Sequence, residues 1–475
     1  MKVRLIIPIE SQVREFDAKL LLACIAANHG FISVIGHPKK LKTHIARFPK
    51  SIYLAKDIKA SRSNMFKIMR KLGYKIVAWD EEALVHLPPD TYFSRRLSPK
   101  AIQYISHLFA WGGENAKLWS RYEHLPSQTA VHVTGNPRGD LLRPEMHDYY
   151  ERDVLSLRRT YGDFILVNTN FKHVNCFAPI NNLFQPVSRN GEEPKFGRAA
   201  MGMSREYAEG LRDHKQAVFE DFQGLIPALA QSFQDYAIVV RPHPSENREV
   251  YQRIAAQCER VQVTNEGNVI PWLMASKALI HNGCTTGVEA FVLGVPAISY
   301  RATVNDRYDL GFYGLPNLLS HECFNFEHLK DTLDNVLSGA IGPADGDERK
   351  ELMDRHMTAR EGPLACERIV NVLAEMIQGQ SELPEPSLSD RLEGRYKATR
   401  RNLKRRFKLF FPDYSDNPEF VRHRYPGISL DELRQRVSLF QHMLNNNNVL
   451  KLEEIYEQIF SIRAKPITGQ HLHVK

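Results

Sequence analysis

Three short runs in this chain bring together residue types that could do chemistry. The first is the apolar run YAIVV at residues 236–240, followed at once by Arg241-Pro242-His243-Pro244-Ser245-Glu246. Two prolines cannot donate to a ladder, so the strand must stop there. It leaves an arginine and a histidine at the carboxyl end of a buried strand, where open α/β sheets bind ligands. Arg241 alone would equally suit a structural ion pair, and His243 alone a satisfied core histidine. The second run, residues 278–301, reads as strand, loop, helix, loop, strand. Asn282-Gly283 turns the chain. Thr285 or Thr286 is expected to cap the helix, with Glu289 in its first turn, and Gly294 to end it. Backbone N–H groups and hydroxyls at a helix start suit phosphate. The third run is Asp80-Glu81-Glu82, directly after the apolar residues Ile76-Val77-Ala78-Trp79. Side chains alternate along an extended chain, so at most two of the three acids share a side. A carboxylate there could act as a general base; the competing reading is a solvated loop.

Those runs need sheets to hold them, and the pattern supplies two. Before residue 135, apolar runs of strand length alternate with helical stretches, as in a parallel sheet covered on both faces. Residues 135–143 (GNPRGDLLR) read as a turn and the start of a crossing. A second alternating set begins at residues 164–167 and runs through the first two runs above. Residues 172–203 lack periodicity, and a loop of that length in a compact domain has a function or is mobile. Residues 206–233 read as one long helix, and 348–377 as helix that packs back onto the first set. The expected fold class is α/β with two Rossmann-like lobes and a C-terminal helical extension. The expected domains are 1–145, 146–377 and 378–475.

Composition narrows the partners. The chain has 475 residues and a net charge of +8, which favours polyanionic partners. Six cysteines are scattered without zinc-ligand spacing, which suits a reducing compartment. The N-terminal apolar run is too short for a signal peptide, and no run approaches the ~18 apolar residues of a membrane span. After a polar, proline-bearing linker, residues 391–408 carry nine Lys/Arg and one acid. Leu392, Tyr396, Leu403, Phe407 and Phe410 fall near helical spacing, giving an amphipathic basic helix suited to an anionic membrane surface or to packing on the domain. Residues 430–444 and 449–460 read as a terminal helix pair. No stacking-aromatic platform or nucleic-acid module is legible, so no nucleic-acid partner is expected.

Taken in order, the signals resemble the GT-B glycosyltransferases. The resemblance is to bacterial surface-carbohydrate enzymes that use CMP-activated acidic sugars, such as sialyltransferases and capsule or O-antigen Kdo transferases. Glu81-Glu82-Ala83 matches their acidic motif with alanine in place of glycine, which keeps Asp80 a candidate. His243-Pro244 matches the His-Pro motif and Thr285-Thr286 the Ser/Thr pair. The likeness spans about residues 1–377. It implies a CMP-sugar donor of the Kdo or nonulosonate type, no metal or other cofactor, and a glycan or glycolipid acceptor. It implies nucleotide binding by Arg241, His243, Pro244, Gly283, Thr285, Thr286 and Glu289, with His243, if protonated, and the Thr285/Thr286 hydroxyls offsetting phosphate charge. Catalysis would fall to Glu82, Glu81 or Asp80, with Glu10 and Asp17 as fallbacks, as base in an inverting enzyme or nucleophile in a retaining one. The implied location is the cytoplasm, at the inner membrane face through 391–408. Two alternatives keep the fold: a UDP-sugar transferase or epimerase, or a CDP-polyol phosphotransferase. A third is a non-catalytic nucleotide-binding scaffold of a polysaccharide assembly complex.

Overall fold

The computed structural model describes residues 3–86, 88–187, 193–309, 314–378, 383, 385–408, 422 and 425–465. The chain forms two units. One comprises Met1–Leu84, Pro89–Tyr149 and Met353–Lys475; the other comprises Val85–Pro88 and Tyr150–Leu352.

The first unit is built on strands β1 (Arg4–Pro8), β2 (Ile32–Gly36), β3 (Ile52–Ala55), β4 (Lys75–Ala78), β5 (Ile105–Ala110) and β6 (Ala130–Val133). They lie in the order β2-β1-β3-β4-β5-β6, all parallel. Leu5, Ile6, Ile7, Ile35, Ile52, Ile76 and Val77 are wholly buried, as strands covered on both faces must be. Helix Gln12–Asn28 is buried along most of its length and packs on β2.

The second unit has β7 (Phe164–Thr169), β8 (Ala237–Pro242), β9 (Val261–Val263), β10 (Ala278–His281), β11 (Ala297–Tyr300) and β12 (His321–Cys323). Their order is β12-β11-β10-β7-β8-β9, again all parallel. The long helix Arg205–Ser232, capped by the Ser204 hydroxyl, lays Phe219, Phe222, Ile226 and Leu229 into this core. The aperiodic stretch ahead of it has a small core of its own, in which Leu183, Phe184 and Ala200 pack on Ala208 and Leu211. Thus α/β architecture with two Rossmann-like units is what the alternating pattern implied.

The C-terminal part differs from expectation. A helix forms at Leu430–Met443, but residues 449–460 are not helical. They belong to a hairpin, β13 (Leu450–Tyr456) and β14 (Ile459–Ala464), and β14 pairs antiparallel with β2. The first sheet therefore has eight strands. The turn is two residues, Glu457-Gln458, with Gln458 at φ +56°. Hairpins of this length usually advertise themselves with Asn-Gly or Asp-Gly, and this one does not. Residues beyond 378 are joined to the first sheet rather than appended to it. Phe440 stacks on Tyr149 at 4.2 Å, and Arg436 contacts the Asp17 carboxylate at 2.5 Å. Part of the linker and Phe410 lie outside the described residues.

The chain returns to the first unit through helix Ala365–Gln378, which packs on Gln12–Asn28. Its start is held by Asp140, whose two carboxylate oxygens accept from the Ala365 and Cys366 N–H groups at 2.7 and 2.8 Å. Gly135 (φ +83°) allows the approach, because a Cβ there would meet Thr358 O at 2.6 Å. Asp140 is 1% exposed, and burial raises its pKa to about 6 despite those two donors. Asp140→Ala leaves two buried N–H groups unpaired and should cost about 2–4 kcal/mol. The denaturant midpoint should fall with an unchanged m-value; an unchanged midpoint would remove Asp140 from this role.

Candidate functional site

Each sheet has one place where its strand order reverses: between β7 and β10 in the second unit, and between β1 and β3 in the first. Ligands of open α/β sheets bind outside the carboxyl ends of the strands at such points.

In the second unit, β8 ends at Pro242 and delivers His243. The His243 N–H donates to Thr169 O (3.1 Å) and to Glu246 Oε1 (3.0 Å), while Nδ1 accepts from the Ser245 N–H at 3.1 Å. An Nδ1 that accepts carries no proton, so the ring is neutral with its hydrogen on Nε2. In this geometry the ring carries an Nε2–H, a hydrogen-bond donor rather than a full charge. Glu246 holds the turn from beneath, accepting from Tyr251 OH at 2.8 Å and Thr169 Oγ1 at 3.1 Å. Burial raises its carboxyl to about 7 against those donors. A second clamp comes from residues 175–177, through Asn247 N–H to Asn175 O and Phe177 N–H to Ser245 O.

Arg241 departs from its expected role. It is 7% exposed and donates to Glu266 O (2.8 Å) and Gly267 O (3.2 Å), with its guanidinium 4.4 Å from the centre of the Trp272 ring. Burial lowers its pKa to about 9. It pins the loop after β9, a structural role, though through backbone carbonyls and the Trp272 ring rather than the ion pair weighed above. Arginine that closely follows an apolar strand looks the same in sequence in either role.

The loop after β10 turns at Gly283 (φ +79°), and the helix runs Thr285–Leu293 to Gly294 in the left-handed conformation. Its N-cap is Cys284, which makes no side-chain cap hydrogen bond. Thr285 and Thr286 are thus its first two residues, not its caps, and Thr286 Oγ1 lies 2.6 Å from Cys284 Sγ. Glu289 sits past the first turn and is 5% exposed. What shapes the loop is His281, which the sequence reading did not single out. Its Nδ1 accepts from the Gly283 N–H (2.9 Å), and its Nε2–H donates to Ser320 Oγ (2.9 Å), whose hydroxyl donates to Pro316 O (2.8 Å). Burial lowers its pKa to about 3, so the relay is neutral. Gly287 lets the helix rest on the ring: a Cβ there would lie 2.5 Å from Nε2.

Beside this loop is a pocket lined by Asn282, Lys215, Arg301, Thr303, Asp309 and Asn317, with Phe171 and Tyr300 as apolar walls. Asp309 is opposed by burial, but the His214 ring at 2.7 Å and nearby Lys215 hold its carboxyl below the usual range. Arg301 pairs with Glu322 and lies 3.7 Å from Asp309. The side-chain oxygens of Asn168, Asn170 and Asn282, at the ends of β7 and β10, find no hydrogen-bond partner among the described residues. Buried polar atoms without partners at a strand-order reversal mark a place where a ligand can donate.

In the first unit the three acids part company. Asp80 is 1% exposed and takes a two-pronged hydrogen bond from Arg96 and one from Tyr92 OH at 2.8 Å. Glu81 is 4% exposed, 3.2 Å from Lys19 Nζ, and accepts from Trp79 Nε1 at 2.8 Å. Both are internal ion-pair partners. Only Glu82 reaches solvent, with its side chain 38% exposed and Arg14 3.3 Å away. Asp17 is spent on Tyr149 and Arg436. Glu10 pairs with Lys56 at 2.5 Å and stays a quarter exposed. Lys42, in the pocket by β1 and β3, is lowered to about 7 by burial, with Arg62 and Arg401 adding to it. Among the described residues no group of three His, Cys, Asp or Glu could hold a metal ion. Nor is any described helix long and apolar enough to cross a membrane.

No protein-family model and no curated protein matches this chain. Solved structures do resemble it. An S. aureus MnaA–UDP co-structure aligns at TM-score 0.45 and 15% identity, covering 82% of this chain and all of that one. The Methanocaldococcus jannaschii UDP-GlcNAc 2-epimerase with UDP-GlcNAc and UDP aligns at 0.44 and 13%, covering 79% and 99%. The wall teichoic acid polymerase TagF aligns at 0.43 and 11%, covering 80% and 90%. At these values the likeness assigns neither substrate nor residue roles. What the chain's own topology shows is two doubly wound α/β units, each with a parallel sheet.

Glu246 gives the site a pH signature. Its folded pKa of about 7 exceeds the ordinary 4.5, so the folded state holds the extra proton between those values. The stability it contributes is complete below 4.5 and lost as pH rises through 7, on the order of 3 kcal/mol. Glu246→Gln should therefore gain on wild type by several degrees of melting midpoint between about pH 5 and pH 8. A constant gap would show that Glu246 does not titrate there.

Proposed function

We propose that this chain is an enzyme that binds a nucleotide-activated sugar or polyol in its second unit and transfers the activated group to a hydroxyl of a cell-surface carbohydrate or its lipid-linked precursor. The single observation that carries the reading is the strand-order reversal between β7 and β10. There the uncapped start of helix Thr285–Leu293 adjoins a pocket holding Lys215 and Arg301. Two neighbouring seats for negative charge suit a nucleoside diphosphate, which favours a UDP-sugar or CDP-polyol donor. The same pair would also take the phosphate and carboxylate of a CMP-linked acidic sugar, and that is the second reading. His243 Nε2–H, with the helix N–H groups, would hydrogen-bond the departing phosphate. No metal is needed in this scheme.

Glu82 is assigned the acceptor's proton. It is the one acid of its triplet with solvent access, and Arg14 beside it would steady the carboxylate. The reading also includes a seat on the cytoplasmic face of an anionic membrane, where a lipid-linked acceptor would lie.

Thermal-shift measurements with CMP, CDP, UMP and UDP separate the donor classes. The matching nucleotide should raise the melting midpoint by several degrees at saturation. Diphosphates stronger than monophosphates support the first reading, CMP strongest supports the second, and no shift with any of the four would overturn both. His243→Ala should weaken that shift.

With the donor known, Glu82→Gln should cut turnover about 100-fold while nucleotide binding persists. Asp80→Asn should instead lower stability by about 3 kcal/mol, because it removes the buried charge that pairs with partly buried Arg96. Normal turnover in Glu82→Gln would remove the acidic triplet from the chemistry.

A further inference from the structure

Helix Leu388–Lys408 is turned inside out relative to an ordinary surface helix. The face that holds it to the first unit is small and polar. Gly394 lies against Leu72, where a Cβ would come to 3.0 Å, and Ala398 is buried. Asn402 donates to Thr43 O at 2.9 Å, and Arg405 donates to Lys39 O and Thr43 Oγ1 at 3.0 and 2.9 Å. Lys71 bridges Asp390 and Glu393 at 2.8 and 2.5 Å. The opposite face is apolar and bare: Leu388 is 75% exposed, Leu392 58%, Tyr396 65%, Leu403 52% and Phe407 71%.

At 3.6 residues per turn those five side chains fall within an arc of about 100°. A globular protein buries such a stripe; an exposed one of this length marks an interaction surface. What it meets is indicated by its borders. Arg391, Arg395 and Arg406 lie along one edge and Arg400 and Lys404 along the other, all exposed. Glu393 is the one acid in residues 391–408, and it is taken by Lys71 and Lys397. An apolar stripe with cations on both long edges matches a plane that is oily at depth and anionic at its surface.

We infer that this face is a lipid-binding surface, which lies flat in the headgroup region of an anionic bilayer while the polar face stays fixed to the first unit. Leu388, Leu392, Tyr396, Leu403 and Phe407 enter the acyl boundary, and the flanking arginines and lysine meet lipid phosphates. The inference deepens the membrane seat proposed above and requires nothing of the donor. Its test contains no nucleotide, so the two stand or fall separately.

The full-length protein is sedimented with vesicles of phosphatidylcholine alone and of phosphatidylcholine mixed with phosphatidylglycerol. Wild type should bind the anionic vesicles about tenfold better than the neutral ones, and less well as salt is raised. Leu392→Glu with Phe407→Glu should lose about tenfold of that binding. Arg395→Glu with Arg400→Glu should lose a similar amount and most of the salt dependence. Leu439→Glu, an exposed leucine on helix Leu430–Met443, should bind as wild type. All five positions are exposed, and matching melting curves confirm that the variants fold. Equal binding by wild type and the Leu392/Phe407 variant would overturn the inference. So would self-association of wild type without vesicle binding, abolished in that variant, because the face would then meet a second copy of the chain.

Discussion

A lysine ammonium with 2% of its side chain exposed organises the carboxyl edge of the first sheet. Lys19 Nζ is matched by Glu15 at 2.6 Å, the Pro8 carbonyl at 3.0 Å and Glu81 at 3.2 Å. A buried charge is tolerable only when its partners are fixed in place, so the end of β1 and the turn after β4 are locked to one another. Lys56 extends the network to Glu10 and Glu15. Burial opposes the charge of both Glu15 and Lys56, yet Lys19 first and Lys56 second hold the acid's pKa low, and Glu15 with Glu10 holds the Lys56 pKa high. With Glu81 committed here and Asp80 committed to Arg96, Glu82 is left facing solvent. One run of three acids is thus divided between two buried ion pairs and a solvent-facing contact with Arg14.

The second unit uses one local device twice. His243 follows β8 and His281 is the last residue of β10, and each accepts at Nδ1 from the N–H two residues on. The turn fixes the tautomer and leaves Nε2–H as a donor. At His281 the donor is spent inside the fold on Ser320, and Gly287 closes over the ring. At His243 the ring is only partly buried, at the edge of the sheet. The same turn chemistry therefore sits inside the fold in one place and at the carboxyl end of β8 in the other.

Strand ends were legible because apolar runs stopped by Pro242 or Gly283 have few other solutions. Roles were not, because they depend on partners distant in sequence. Nothing near Asp80 announces Arg96 as its partner, and nothing near Arg241 announces Trp272 beneath it. Lys215 was missed despite a usable signal. It stands four residues after Leu211 and four before Phe219, inside the apolar stripe of its helix, where a lysine needs a reason. The terminal hairpin had no such signal, since the left-handed residue in its turn is a glutamine.

Because β14 completes the first sheet from the far end of the chain, that unit is interrupted by some two hundred residues of the second. On a ribosome the second unit emerges whole, while the first must wait with the hydrogen-bonding edge of β2 uncovered until residue 462 has been made. Pairing so distant in sequence is slow to close, and an open strand edge is an invitation to aggregate. The order of synthesis thus makes the last strand a seal. Truncation before residue 459 removes more than a tail, because it leaves a parallel sheet with a raw margin.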